Sequence, residues 1–399
     1  MVRPEGTEDD RQARLRRVAV ITGTRAEFGL LRPVMHAIAA HPSLELCVIA
    51  AGSHLIPPAT TFRAVKAEFQ VADSVPMQVA GRRARIDDAE ATGRGIARFA
   101  RSFAAIQPDW VVVLGDRIEA FAAASAASIG GIAVAHLHGG DRAEGIADEA
   151  MRHAITKLAH LHLPATPTSA ERIARMGERP EHIVTIGSPA IDGLDAIEPL
   201  DDSGFRELGS PRAVFLMHPI GRHDEEEELT VSLVLEGVAA ALGEDAALLL
   251  APNQDPGRAG IERALQVASE TRAGWNRAEH LSRDRFIALL ARLAGADAPG
   301  VLVGNSSAGL IEAAAVGVPV VDLGPRQSGR ERSGRVVHQE LPPRDRPIPE
   351  AVAEAVRSAL AGPAITRDHP YGDGTAGPAA AAAIASADSV STLRKHNTY

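Results

Sequence analysis

Several short stretches combine residue types able to move a proton or hold an anion. Gly115-Asp116-Arg117 closes an apolar run and offers a carboxylate beside a guanidinium. His136-Leu137-His138-Gly139-Gly140-Asp141 closes the next apolar run, and Asp148, Glu149, Arg152 and His153 follow it. His218 ends a further run before Pro219, and the stretch Gly304-Asn305-Ser306-Ser307-Ala308-Gly309 is followed by Glu312. Carboxylates and imidazoles are the usual groups for general acid-base chemistry. Small residues opening a helix leave backbone N–H groups free to face an anion. Arg326 and Arg330 in Arg326-Gln327-Ser328-Gly329-Arg330, and Arg25 in Thr22-Gly23-Thr24-Arg25-Ala26-Glu27-Phe28-Gly29, add cations suited to phosphate.

Each stretch also has a purely structural reading. Asp116 and Ser306 are favoured helix N-caps, and Arg25 fits a surface position after a strand-to-helix turn. Alternation along a strand would point His136 and His138 the same way. No Cys and no H-x-x-x-H pair accompanies them, so a proton-transfer cluster is favoured over a metal site. His160 and His162 flank a strand away from any Gly-rich turn and are read as structural.

The elements that must position these residues alternate in type. Residues 17–22, 45–50, 110–115 and 132–137 read as strands, and residues 30–41, 88–106 and 118–128 show helical spacing. A second set of strands, 213–217, 246–250, 301–304 and 318–323, alternates with helices at 225–242, 259–270, 284–293 and 307–316. The prolines and glycines of 188–211 read as a linker. The expected fold is α/β, with two Rossmann-like doubly wound domains facing across a cleft. Ligands of such sheets lie beyond the carboxyl ends of the strands. Expected boundaries are a disordered extension at 1–16, a first domain at 17–200 with the acid-base residues, a second at 201–376 that binds nucleotide, and a C-terminal helix and tail at 377–399.

Composition narrows the classes. The chain has 399 residues, 45% hydrophobic but only 3% aromatic, as suits sheets built on Val, Ile, Leu and Ala. The formal net charge of -9 and the lack of a long basic run argue against nucleic acid as a partner. Cys47 is the one cysteine and lies in an apolar run, as a buried thiol would. No uninterrupted apolar segment reaches membrane-spanning length, and residues 1–16 lack a signal-peptide core. A cytoplasmic protein is expected, and a homo-oligomer, dimer or tetramer.

Taken together, the stretches resemble the UDP-N-acetylglucosamine 2-epimerase family, in particular its hydrolysing branch from sialic-acid and nonulosonate pathways. The resemblance runs over about residues 17–376 and is strongest at 23–31, 113–119, 135–161, 252–257, 303–312, 324–330 and 370–374. It implies a glycosyltransferase-B-like fold with neither metal nor redox cofactor. It further implies a two-stage reaction. A base takes the C2 proton of a UDP-linked acetamido sugar and UDP leaves C1, giving a 2-acetamidoglycal. Water then adds, with reprotonation at C2 from the other face, to give a free sugar of the N-acetylmannosamine type and UDP.

By this resemblance Asp116 and Asp148 are the acid-base carboxylates, and His218 assists near the leaving group or sugar. Arg25, Ser306, Ser307 and Arg326 match the diphosphate grip, and Glu312 the ribose contact. Asn253 and His54 match sugar-side positions, and Arg117 joins the substrate-binding set. His138 and Asp141 belong to the catalytic set. Three departures from the family pattern stand out. Phe28 replaces a tyrosine. Asp141 stands for a longer glutamate. Leu55-Ile56-Pro57-Pro58-Ala59 replaces an acidic, Tyr-Gly-containing loop, which leaves the exact sugar open. A glycosyltransferase on the same fold and a non-catalytic nucleotide-sugar-binding protein are the alternatives.

Overall fold

The structure, a computed structural model, describes residues 14–57, 61–82, 84–142, 148–253, 255, 257–295, 299–333, 335–362, 369–393 and 395–398; the side chains of Asp148 and Thr392 lie outside that set. Two parallel six-stranded sheets organise the chain. The first contains β1 (Arg16–Thr22), β2 (Leu44–Ala51), β3 (Val71–Val75), β4 (Trp110–Leu114), β5 (Ala133–Leu137) and β6 (Leu161–Leu163), in the order β3-β2-β1-β4-β5-β6. Its helices are α1 (Arg25–Ala40), α2 (Thr61–Glu68), α3 (Arg85–Ile106), α4 (Ile118–Ile129), α5 (Asp148–Leu158) and α6 (Pro167–Arg175).

Strand alternation divides this core into two faces. Val18, Val20, Val48, Val112 and Ala135 pack with Phe28, Leu31 and Met35 of α1. Ala19, Ile21, Ile49, Val111 and Val134 pack with Phe99 and Phe103 of α3 and the alanines of α4. Because helices cover both faces, each central strand contains a continuous buried, mostly apolar run, and such runs were visible in the sequence. Cys47 is buried on β2. Burial pushes its thiol above the ordinary range.

The second sheet contains β7 (Ala213–Leu216), β8 (Ala247–Leu250), β9 (Trp275–Ala278), β10 (Val301–Gly304), β11 (Val320–Leu323) and β12 (Val336–Gln339), in the order β12-β11-β10-β7-β8-β9. Around it run α7 (Asp202–Glu207), α8 (Asp224–Leu242), α9 (Arg258–Thr271), α10 (Arg283–Ala294), α11 (Ser307–Leu310), α12 (Glu312–Val316) and α13 (Ile348–Ala361). In both sheets the strands absent from the sequence reading are the outer ones, β3, β6, β9 and β12. β3, β9 and β12 carry exposed polar positions, and β6 has three residues. The helix expected over 307–316 is divided at Ile311, whose backbone (φ -104°, ψ -74°) leaves the helical course and starts a new axis at Glu312.

Contacts separate the chain into two compact units. The first holds the described residues up to Gly140, Ala150–Asp192 and the chain from Gly372 onward; the second holds Asp141–Glu149 and Gly193–Tyr371. The change of unit thus falls at Asp192, ahead of the expected boundary at 200. The C-terminal helix α14 (Ala376–Ser386) packs with α1 in the first unit. Two contacts seat it. Asp192 accepts from the N–H of Ala376 (3.0 Å) and of Gly377 (2.6 Å), an N-cap supplied from a distant residue. Arg16 donates to the carbonyls of Ala385 and Ala387, both at 2.7 Å. Arg14 pairs with Asp109 at 2.7 Å. Residues 14–16 are therefore held by specific partners rather than forming the end of a disordered extension; residues 1–13 lie outside the described set. Among the described residues no helix is long and apolar enough to cross a membrane.

Two helical glycines give opposite expectations for Gly→Ala. At Gly93, on the exposed face of α3, an added Cβ meets nothing within 4 Å, so alanine should stabilise by about 1 kcal/mol through its helix propensity. At Gly377 the Cβ would lie 2.6 Å from the carbonyl oxygen of Pro33 on α1. There the overpacking cost of about 1–3 kcal/mol outweighs the propensity gain. Thermal melts of the two variants should move up and down respectively. A rise at Gly377 would contradict the close packing of α14 on α1.

Candidate active site

At the carboxyl end of β1, Thr24 caps α1 and accepts from the N–H of Glu27 (3.3 Å), while Glu27 accepts from the N–H of Gly23 (2.7 Å) and Thr24 (3.3 Å). This capping box orients the turn that carries Arg25 in its first helical position. Glu27 is buried, with Oε1 lacking a hydrogen-bond partner. Burial pushes its carboxyl up to about 8; the Gly23 N–H opposes this and the nearby Glu119 adds to it. Glu119 of α4 is fully buried with neither carboxylate oxygen hydrogen-bonded. Its side chain fits because Gly23 lacks a Cβ, which would lie 2.5 Å from Glu119 Cγ. Arg117 stands near it, Nε to Oε2 at 3.9 Å.

His54 lies in the 3₁₀ turn after β2 and is 1% exposed. Nε2 is hydrogen-bonded to Thr22 Oγ1 and Nδ1 to Thr61 Oγ1, each at 2.9 Å. Burial lowers its pKa to about 4. The ring is a neutral strut between β1 and α2.

After β4 the chain turns through Gly115 (φ +72°) to Asp116. Asp116 is ion-paired with Arg152 of α5, and their side chains are 16% and 5% exposed. A guanidinium this close favours the ionised carboxylate. Arg152 was noted in the sequence without a role. The available signal was its place one helical turn after Asp148, on a helix following the next strand.

The equivalence expected of His136 and His138 fails because β5 ends at Leu137 and His138 takes a left-handed conformation, φ +59°. His136 Nε2 is hydrogen-bonded to the carbonyl of Gly115 (2.8 Å) and Nδ1 to Thr156 Oγ1 (3.2 Å). His138 Nε2 instead meets the buried hydroxyl of Ser188 at 3.1 Å. A non-glycine residue held at positive φ is strained, a feature common at functional sites. Asp148 begins α5, and its side chain lies outside the described residues.

In the second unit, β7 and β10 are neighbours and their carboxyl ends hold the turns with His218 and Asn305. Asn305 accepts from the His218 N–H (2.7 Å) and donates to the His218 carbonyl (2.8 Å). The N–H of Asn253 donates to His218 Nδ1 at 3.1 Å. Burial first, then the charge of Arg326, lower the His218 pKa to about 3. A neutral ring that accepts at Nδ1 must carry its proton on Nε2, so His218 is a neutral hydrogen-bond donor. The side chain of Asn253, expected near the sugar, is hydrogen-bonded to Asp255; Gln254 and Pro256 of that stretch lie outside the described residues.

Ser306 caps α11, accepting from the N–H of Ala308 at 3.4 Å, and Ser307 begins that helix. Arg326 follows β11 and donates to the Asn305 carbonyl at 3.2 Å. Ser306, Ser307, Arg326 and His218 thus come together as donors and positive charge around one turn, the composition of an anion site. Arg330, read as a further cation for that anion, donates to Asp141. Among the described residues no group of three His, Cys, Asp or Glu side chains is arranged to hold a metal ion.

The family model described as UDP-N-acetylglucosamine 2-epimerase matches residues 36–385. The chain belongs to this family. It is 33% identical over 368 residues to the UDP-N,N'-diacetylbacillosamine 2-epimerase (hydrolyzing) of Legionella pneumophila, covering 90% of this chain and 93% of that protein. It is 30% identical over 338 residues to the UDP-N-acetylglucosamine 2-epimerase of Neisseria meningitidis, covering 82% of this chain and 84% of that protein. The crystal structure of UDP-GlcNAc 2-epimerase from Neisseria meningitidis bound to UDP-GlcNAc superposes with a TM-score of 0.73 over 90% of this chain and 97% of that one; at 17% identity this is a likeness of fold. The resemblance drawn from the sequence is borne out for family and fold, and this epimerase-family chain carries Asp116, His218, Ser306 and Arg326 at the carboxyl ends of its strands.

Glu27 gives a pH test. Its folded-state pKa lies above the unfolded one, so the folded protein keeps a proton that the unfolded chain releases between about pH 4.5 and about pH 8. The fold therefore loses stability as pH rises through that window, on the order of a few kcal/mol in all. Glu27→Gln keeps the shape and cannot ionise. Melts from about pH 5 to about pH 9 should show its stability relative to wild type increasing with pH. A pH-independent difference would contradict the buried neutral carboxyl.

Proposed function

We propose that this chain is a hydrolysing 2-epimerase that converts a UDP-linked acetamido sugar and water to UDP and the free 2-epimeric sugar, of the N-acetylmannosamine type. The observation that carries the reading is its 33% identity, over 90% of its length, to the Legionella enzyme whose name states that activity. The substrate class follows from the same relatives, whose names give UDP-diacetylbacillosamine and UDP-N-acetylglucosamine. Both sugars carry an acetamido group at C2 and a diphosphate at C1.

In this reading Asp116, ionised beside Arg152, and Asp148 form the acid-base pair. One removes the C2 proton as the C1–O bond to UDP breaks, leaving a glycal. Water then adds across the double bond, its oxygen to C1, and C2 receives a proton on the opposite face. Arg326, Ser306 and Ser307 take the diphosphate as charge grows on it, with Arg25 assisting, which is where fixed donors lower the barrier most. His218, neutral with its proton on Nε2, donates a hydrogen bond to the leaving group or sugar without adding charge. Glu312 takes ribose hydroxyls.

The test is incubation with each of the two UDP-sugars in deuterated water, followed by NMR. UDP should accumulate in step with a free sugar inverted at C2 and carrying deuterium there. An equilibrium between the UDP-sugar and its UDP-linked 2-epimer, with no free sugar, would falsify the hydrolytic assignment.

A further inference from the structure

Asp141 is 2% exposed and accepts from Nη2 of Arg330 at 3.2 Å, and Arg330 is itself 9% exposed. Arg330 also donates through Nη1 to Gln327 Oε1 at 3.2 Å. Gln327 is buried and passes the chain on, donating through Nε2 to the carbonyl of Asn305 at 2.9 Å. That carbonyl also receives Arg326, and the side chain of Asn305 clips His218 from both sides. Asp141, His218, Asn305 and the 324–330 loop all belong to the second unit. Gly329 lets the loop lie close to Arg142, where a Cβ would come within 3.0 Å of its side chain.

We infer that Arg330 is a positioning residue for Asp141, and that Gln327 ties the placement of that carboxylate to the turn holding His218 and Arg326. The inference rests on the reading of Asp141, by the family resemblance, as a member of the catalytic set of the proposed reaction. A guanidinium is a rigid planar fork, so bonds to two partners fix both in one frame. Gln327 is suited to the junction because its amide offers an acceptor to Arg330 and a donor to Asn305 at once. Asp141 is one carbon shorter than glutamate, which leaves it less reach of its own. Among the described residues, the other charged or titratable groups around this loop include Arg142, which is paired with Glu149, Tyr371, whose hydroxyl donates to the Glu331 carbonyl at 2.7 Å, Glu331 itself, and Arg332, which is paired with Asp322 beside His338.

The experiment uses the full chain with Arg330→Gln, Arg330→Lys, Asp141→Asn and the double variant Arg330→Gln/Asp141→Asn. Arg330→Gln should lower kcat by about 10²-fold, the scale for a displaced reacting group, with UDP affinity by calorimetry nearly unchanged. Arg330→Lys should recover part of kcat, and the double variant should be no slower than Asp141→Asn alone. Losses that multiply in the double variant, or a loss seen only in UDP affinity, would overturn the inference. A second readout needs no turnover. In protein carrying aspartate labelled with ¹³C at the carboxyl, the resonance absent from Asp141→Asn should titrate at higher pH in Arg330→Gln than in wild type, since the guanidinium favours the ionised form. An unmoved titration would also overturn it. If Arg330→Gln does not fold, Arg330→Met, which also removes the charge, serves the same comparison. Absence of turnover in wild type would count against the proposed reaction alone, because the titration still decides the role of Arg330.

Discussion

The ion pair between Asp116 and Arg152 joins the end of a central strand to the middle of the helix that follows the next one. Removing two charges from water is expensive, and their attraction offsets this only when geometry is well held. Much of the first unit can be understood as holding it. Gly115 at positive φ turns Asp116 off β4, and the Gly115 carbonyl is hydrogen-bonded to His136 of the neighbouring strand. Helix α5 is fixed at its far end by Lys395, which donates to the carbonyls of Thr156, Lys157 and Ala159 and pairs with Glu178 at 2.8 Å. A cation at a helix C-terminus also suits the helix dipole. His160 and His162, read from sequence as structural, lie in this neighbourhood: His162 is hydrogen-bonded to Glu178, and burial lowers the pKa of both rings.

Protonation states follow from burial and neighbours rather than from residue type. Glu27 keeps a proton into the neutral range, whereas His54 and His218 give theirs up well below it. Among the permanent charges near the carboxyl edges are two pairs, Asp116 with Arg152 and Asp141 with Arg330. In the proposed reaction a neutral His218 matters for the leaving diphosphate. It contributes a directed N–H while the positive charge comes from Arg326, which needs no protonation equilibrium in the working range.

The fold was largely legible because fully covered parallel strands carry continuous, mostly apolar runs, as β1, β2, β4 and β5 do. The outer strands were not, since β3, β9 and β12 are short, carry exposed polar residues and resemble loops. Motif residues at strand ends were found because a parallel sheet puts them at one edge. Their local geometry was not. The left-handed turn at His138 and the break at Ile311 depend on packing that no spacing rule encodes. Partners far apart in the chain were likewise hidden. Nothing local connects Asp141 to Arg330, 189 residues away, or gives Gln327 its two bonds.

The central claim is that the carboxylate held by Arg152 moves a proton and does not merely form an ion pair. The helix-cap reading of Asp116 fails, because the N-cap of α4 is Arg117 and, among the described residues, no side chain caps that helix. Asp116→Asn separates proton transfer from pairing, since asparagine keeps the shape and can still accept a hydrogen bond from Arg152 but cannot take up a proton. The decisive measurement is turnover of the variant with a UDP-linked acetamido sugar, alongside UDP affinity and a melting curve. A fall in turnover of about 10²–10⁴-fold, with UDP affinity preserved and the protein folded, is the predicted result. Turnover close to wild type in a folded variant would contradict the account.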